Sequence, residues 1–129
     1  MIEPTTRTLL VIDDEAQVRM LFRTALEAAG YRVMTAENGQ HALNVLMHQD
    51  VDLILVDIFM PGMDGLELIP RLRATKPSCR IVAMSGGTGE WNAFDLAKDL
   101  GAHHTLKKPF SPRDLIEAIS AQLLPSEVK

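Results

Sequence analysis

At 129 residues the chain has room for one folded domain and not for a second, since single cores of about 100–150 residues are the usual size. The formal net charge is -4 with the basic residues scattered, which leaves no electrostatic footprint for direct nucleic-acid or anionic-membrane binding. The single cysteine, Cys79, excludes an internal disulfide, and with no secretory leader and no apolar run long enough to cross a bilayer, a cytoplasmic protein is expected.

Thr8-Leu9-Leu10-Val11-Ile12 is an unbroken apolar run that ends in Asp13-Asp14, the pattern of a buried parallel strand meeting solvent at its carboxyl end. Val18, Leu21, Phe22, Ala25, Leu26 and Ala29 then recur at helical spacing, with Gly30 as the stop. A second strand is expected over Val33 to Ala36 and a second helix around Ala42, Leu43, Leu46 and Met47. The third strand, Leu53-Ile54-Leu55-Val56, runs into Asp57. Asp64 and Glu67 have capping-box spacing at the start of a third helix with Leu66, Ile69 and Leu72 on one side, and Pro70 predicts a kink or an early end to that helix.

Ile81 to Met84 before Ser85 reads as the fourth strand, and Ala93, Leu96, Ala97 and Leu100 as a helix stopped by Gly101. The shorter Thr105-Leu106 precedes Lys107-Lys108. A fifth helix has Ser111 as cap, Pro112 at its first position and Leu115, Ile119 and Leu123 inward. Cys79 reads as a lone packing or surface thiol, His103 and His104 as solvated turn residues, His41 and His48 as helix-face residues, and Trp91 as ordinary packing at the start of the fourth helix. Residues 7–124 make up the expected domain, and 125–129 a tail or the start of a linker.

Strands alternating with helices in this way predict an α/β fold, a doubly wound five-stranded parallel sheet covered on both faces. Ligands of such sheets bind beyond the carboxyl ends of the strands, where the strand order reverses. Asp13 and Asp14, Asp57, Ser85 and Lys108 all stand at those ends. Three carboxylates in one place repel one another unless a cation neutralises them, and a hard divalent ion such as Mg2+ suits an all-oxygen set better than zinc does. Ser85 adds a hydroxyl donor and Lys108 a compact positive charge, completing a pocket in which Asp57 could act as a nucleophile toward a phosphoryl group. The same residues would also serve a small magnesium-dependent phosphatase, although the short connections leave little material for a substrate lid.

Asp13-Asp14, Asp57-Ile58-Phe59-Met60-Pro61-Gly62-Met63-Asp64-Gly65, Ala83-Met84-Ser85-Gly86, Gly101-Ala102 and Lys108-Pro109-Phe110 together closely resemble the receiver domain of two-component response regulators. The resemblance covers about residues 7 to 124. It implies a flavodoxin-like sheet of strand order 2-1-3-4-5. It also implies phosphorylation of Asp57 by a sensor histidine kinase or a histidine phosphotransfer protein, with Mg2+ as cofactor and Mn2+ as a substitute. By the same resemblance Asp14 is a direct metal ligand, Asp13 a ligand that can act through water, Asp57 also touches the metal, and Phe59 lends its backbone carbonyl. Ser85, Gly86 and Lys108 are the groups facing the phosphate, and the Lys108–Pro109 bond is often cis in the family.

The resemblance further implies a protein that phosphorylates and dephosphorylates itself without turning over an external substrate. Its output would pass through the face made by the fourth helix, fifth strand and fifth helix to a partner or output domain, and a phosphorylation-dependent dimer is compatible with it. Two positions depart from the family's usual pattern. Phe59 is bulky and apolar two residues beyond the acceptor, and Thr105 stands where an aromatic side chain usually swings inward. A pseudo-receiver that has lost its chemistry is the remaining alternative, opposed by the presence of all five pocket residues.

Overall fold

The computed structural model describes residues 6–86 and 93–124. Trp91 and the glycines at 87 and 89 lie outside the described residues, as do most of both terminal segments. The elements alternate throughout: β1 (Thr8–Ile12), α1 (Ala16–Ala28), β2 (Arg32–Ala36), α2 (Gly39–His48), β3 (Leu53–Asp57), α3 (Gly65–Thr75), β4 (Arg80–Ser85), α4 (Ala93–Leu100), β5 (His104–Lys107) and α5 (Pro112–Leu123). All strand pairs are parallel, in the order β2-β1-β3-β4-β5.

Side chains alternate along a strand, so each strand feeds two cores. Leu10, Ile12, Ile54, Val56, Ile81 and Ala83 face α2, α3 and α4 and pack with Ala42, Leu46, Leu68, Ile69, Leu72 and Ala97. Leu9, Val11, Leu53, Leu55, Val82 and Met84 face the other way, onto Phe22 and Leu26 of α1 and Leu115 and Ile119 of α5. Each large side chain buried this way contributes about 1.5–3 kcal/mol relative to exposure. That is why the three central strands read as continuous apolar runs.

Helix ends follow the expected chemistry. Asp64 Oδ1 accepts from the Glu67 amide at 2.8 Å and Ser111 Oγ from the Asp114 amide at 3.0 Å, while Gly30 and Gly101 leave their helices with φ of 101° and 132°.

Three expectations fail. Leu21, Met47, Leu96 and Leu100, counted among the inward helical positions, are exposed, because a helix lying on a sheet buries a strip narrower than its full run of apolar residues. Helix α3 continues through Pro70 to Thr75; Pro70 lies exposed, and the fully buried Leu68, Ile69 and Leu72 hold the helix to the sheet on either side of it. His103 is half-buried rather than solvated, with its Nδ1 accepting from the Ile81 amide at 3.0 Å, and His104 opens β5. Cys79 belongs to the core, where burial pushes its thiol up to about 12.

Candidate phosphoacceptor site

The strand order reverses between β1 and β3, and the carboxyl ends of these two strands carry the acids. Asp13 follows β1; its amide bonds to the Ala36 carbonyl at 3.2 Å and so extends the ladder by one residue, which turns the side chain into the protein. Asp13 is completely buried and Asp14 beside it exposed. Asp13 Oδ1 accepts from the Glu15 amide at 2.9 Å, closing the turn into α1, and the Arg19 guanidinium donates to the Asp13 carbonyl at 2.7 Å. Sequence reasoning missed Arg19. Its signal is faint, a basic residue a turn and a half beyond the acid on an otherwise unremarked helix face.

Asp57 is the last residue of β3, pairs with Met84 and is 6 % exposed. Its Oδ1 accepts from the Phe59 amide at 3.1 Å. One carboxylate oxygen from each of Asp13, Asp14 and Asp57 lies within 4.8 Å of the others, the one set of acidic, His or Cys side chains among the described residues that could together hold a metal ion. The donors are hard oxygens, with no thiolate or imidazole among them, which fits Mg2+.

Lys108 reaches this cluster from the far side of β4. Ser85 at the end of β4 pairs with Lys107 at the end of β5, and the Lys108 amide donates to the Ser85 carbonyl at 2.8 Å. The Lys108–Pro109 peptide is cis. From there the Lys108 ammonium lies 3.1 Å from Asp13 Oδ2 and 3.5 Å from Asp57 Oδ2. Gly86 sits against the lysine stem: a Cβ there would fall 3.1 Å from Lys108 Cβ. Ser85 itself is buried, at 4 % exposure.

The electrostatics differ from those expected in one respect. Asp57 is raised to about 6, and the leading cause is burial; the Asp13 charge adds to it, while Lys108 and the Phe59 amide oppose it. Crowding of like charges, the cause expected from the sequence, is secondary. Burial by itself would lower Lys108, but the Asp57 and Asp13 carboxylates outweigh it and the ammonium is raised overall.

A second glycine missed in the sequence shapes the site. The Gly65 amide donates to the Ile58 carbonyl at 2.7 Å, and a Cβ on Gly65 would fall 2.6 Å from both the Asp57 carbonyl oxygen and Ile58 Cα. The start of α3 thus rests directly on the backbone that carries Asp57. Phe59 is exposed at the rim, and Thr105, paired with Ala83, is half-buried in β5.

The response regulator receiver domain family model matches residues 9–120. The phosphate regulon transcriptional regulatory protein PhoB of Pseudomonas aeruginosa is 39% identical over 118 residues, covering 91% of this chain and 52% of that protein. Sporulation initiation phosphotransferase F of Bacillus subtilis is 31% identical over 115 residues, covering 89% of this chain and 92% of that protein. The chain thus spans about half the length of the transcriptional regulators it matches and nearly all of the phosphotransferase. Among solved structures, the response regulator TrrA of Thermotoga maritima in complex with Mg(2+)-BeF superposes with a TM-score of 0.82 at 32% identity, covering 92% of this chain and all of that one (100%). Chemotaxis protein CheY4 of Vibrio cholerae gives 0.85 at 29% identity with the same coverage, 92% and 100%. With its strand order, its acidic cluster and its strand-end lysine, the chain belongs to the receiver domain family of two-component response regulators, magnesium-dependent phosphoacceptors that act on their own aspartate.

Proposed function

We propose that Asp57 is the residue that takes up the phosphoryl group. The observation that carries this reading is the Lys108 ammonium, brought from β5 to within 3.5 Å of the Asp57 carboxylate at the point where Asp13 and Asp14 also converge. With Asp57 near 6, the carboxylate is ionised by about ten to one at pH 7, as a nucleophile must be. One Asp57 oxygen attacks the phosphorus of a phosphohistidine donor; the phosphorus–nitrogen bond breaks, and its electron pair leaves with the imidazole.

Asp13, Asp14, Asp57 and the Phe59 carbonyl would hold Mg2+, with Asp13 acting directly or through water. The ion supplies positive charge against the phosphoryl oxygens. Lys108 neutralises another of those oxygens, and the Ser85 hydroxyl and Gly86 amide offer hydrogen bonds to the rest. The Asp57 oxygen bonded to the Phe59 amide is held in orientation, which lowers the cost of aligning the attack.

Members of the family interact with histidine kinases or phosphotransfer proteins and with downstream effectors. For this chain, residues 7–124 would form the receiver unit, a histidine kinase or phosphotransfer protein would be the donor, and α4, β5 and α5 would present the output surface. The exposure of Leu96 and Leu100 on α4 supports that last assignment, since unpartnered leucines suit a contact face. Among the described residues, no helix is long and apolar enough to cross a membrane.

Incubation with a small phosphodonor and Mg2+, followed by peptide mass analysis, tests the central assignment. One phosphoryl group on the peptide containing Asp57, lost in Asp57→Asn, is the expected result. Equal uptake by that variant would move the acceptor elsewhere.

A further inference from the structure

At the end of the sheet opposite the acidic cluster, a cavity of about 260 Å³ opens between the segments entering β1, β3 and β4 and the end of α5. Arg7, Asp52, Ser78, Arg80 and Gln122 supply its polar wall and Leu123 part of its apolar one. We infer that this cavity binds a compact oxyanion, a phosphate or carboxylate group, at a site separate from the phosphoacceptor pocket.

The chemistry of the wall is that of a donor-rich, net-positive site. Two guanidinium groups face one carboxylate, and that carboxylate is already committed: Asp52 Oδ2 accepts from the Thr8 amide at 2.8 Å, and Oδ1 faces Arg7 at 3.6 Å. Arg80 has no carboxylate partner within 4.0 Å among the described residues. It donates through one terminal nitrogen to Gln122 Oε1 at 2.9 Å, while its Nε, buried from solvent, has no hydrogen-bond partner. A guanidinium that lines a cavity without a carboxylate partner is left uncompensated there, and an oxyanion is the acceptor that suits it best. Because Gln122 uses its carbonyl oxygen on Arg80, its amide NH2 stays available as a donor, and Ser78 adds a hydroxyl to the same lining. A ligand carrying two or more acceptor oxygens and little else that is polar matches this wall; a cation does not.

Ser85 lies five residue steps beyond Arg80 along β4, a span of about 17 Å at strand rise, so binding at the two ends is spectroscopically distinct. The test is backbone amide NMR of the chain titrated separately with inorganic phosphate and with succinate, at constant ionic strength held with sodium chloride. Saturable shifts clustered on Arg7, Asp52, Ser78, Arg80 and Gln122 are expected, and they should weaken at least tenfold in Arg80→Gln and severalfold in Ser78→Ala. Saturation by phosphate alone marks the ligand class as phosphate-bearing, and saturation by succinate alone marks it as a carboxylate. Linear, non-saturating shifts, shifts confined to the Ser85 and Lys108 end, or equal affinity in both variants would overturn the inference. The Ser78 variant leaves the Arg80–Gln122 bond in place and keeps the test decisive if Arg80→Gln folds poorly.

Discussion

The Lys108 ammonium lies nearer to Asp13 than to Asp57, 3.1 Å against 3.5 Å, and Asp13 is the more deeply buried of the two. Lysine therefore does two things at once: it compensates a buried carboxylate and stands beside the acids that could hold a metal ion. Replacing Lys108 with Ala should separate these effects. Without Mg2+ the variant should lose roughly 2 kcal/mol, below the full penalty for breaking a buried ion pair because Asp13 keeps its Glu15 amide bond. Removing a like charge from the metal's surroundings should at the same time tighten Mg2+ binding severalfold. Urea denaturation and a Mg2+ titration followed by NMR check both halves. Weaker metal binding in the variant would show that Lys108 organises the acids rather than competing at them.

Asp57 governs a pH dependence of definite sign. Its folded value of about 6 exceeds the ordinary 3.8, so between these values the folded protein binds more protons than the unfolded chain. Stability from this group is therefore greatest below about pH 4, declines as pH rises toward 6, and stays reduced above that. Asp57→Asn should match the parent below pH 4 and exceed it by the order of 2 kcal/mol at pH 7 without Mg2+. Mg2+ should narrow the gap by stabilising the parent more than the variant, which lacks one of the three carboxylates. Denaturation curves at several pH values measure this, and an asparagine variant less stable at pH 7 would contradict the burial cost assigned to Asp57.

The parts of the site legible in the sequence are those set by strand pattern. Leu53-Ile54-Leu55-Val56 is too apolar to be anything but interior, so an acid directly after it had to stand at a strand end, and the same holds for Asp13 and Ser85. What could not be read are contacts between distant parts of the chain. Nothing local tells that His103 supplies an acceptor to the Ile81 amide across the start of β5. Exposure of Leu96 and Leu100 was equally hidden, because helical spacing identifies an apolar face without saying how much of it the sheet covers.

Gly65 is the residue whose importance depends most on packing that no periodicity records. A methyl group there would meet the Asp57 carbonyl oxygen and Ile58 Cα at 2.6 Å, both backbone atoms that cannot swing aside. Gly65→Ala should cost about 1–3 kcal/mol, despite alanine's better helix propensity, by pushing α3 from the strand end. Because the strain falls on the Asp57 backbone, the rate of labelling by a small phosphodonor should drop as well. The melting temperature and the labelling rate are the two readings; an alanine variant as stable as the parent would mean that α3 shifts freely.

His103 provides a second pH dependence, opposite in sign to that of Asp57. Its Nδ1 accepts from the Ile81 amide, so the proton of the neutral ring belongs on Nε2, which faces the Arg73 guanidinium at 3.3 Å as donor to donor. A second proton would have to displace the Ile81 amide, in a half-buried position near two arginines. Burial first, then the charges of Arg80 and Arg73, lower His103 from 6.5. A lowered histidine stabilises the fold fully above pH 6.5, and its contribution is lost as pH falls below that value toward the folded one, because the unfolded chain takes up the proton more readily. His103→Asn can keep an acceptor oxygen near the Nδ1 position without titrating. In an Asp57→Asn background, which removes the opposing slope, stability should fall below pH 6.5 with His103 present and level out in the His103→Asn double variant. His103→Leu should be less stable at every pH by about 1–3 kcal/mol, since it leaves the Ile81 amide unpaired between β4 and the start of β5. Parallel stability profiles with and without His103 over that range would mean that the ring keeps its ordinary affinity for protons and that the Ile81 bond survives protonation.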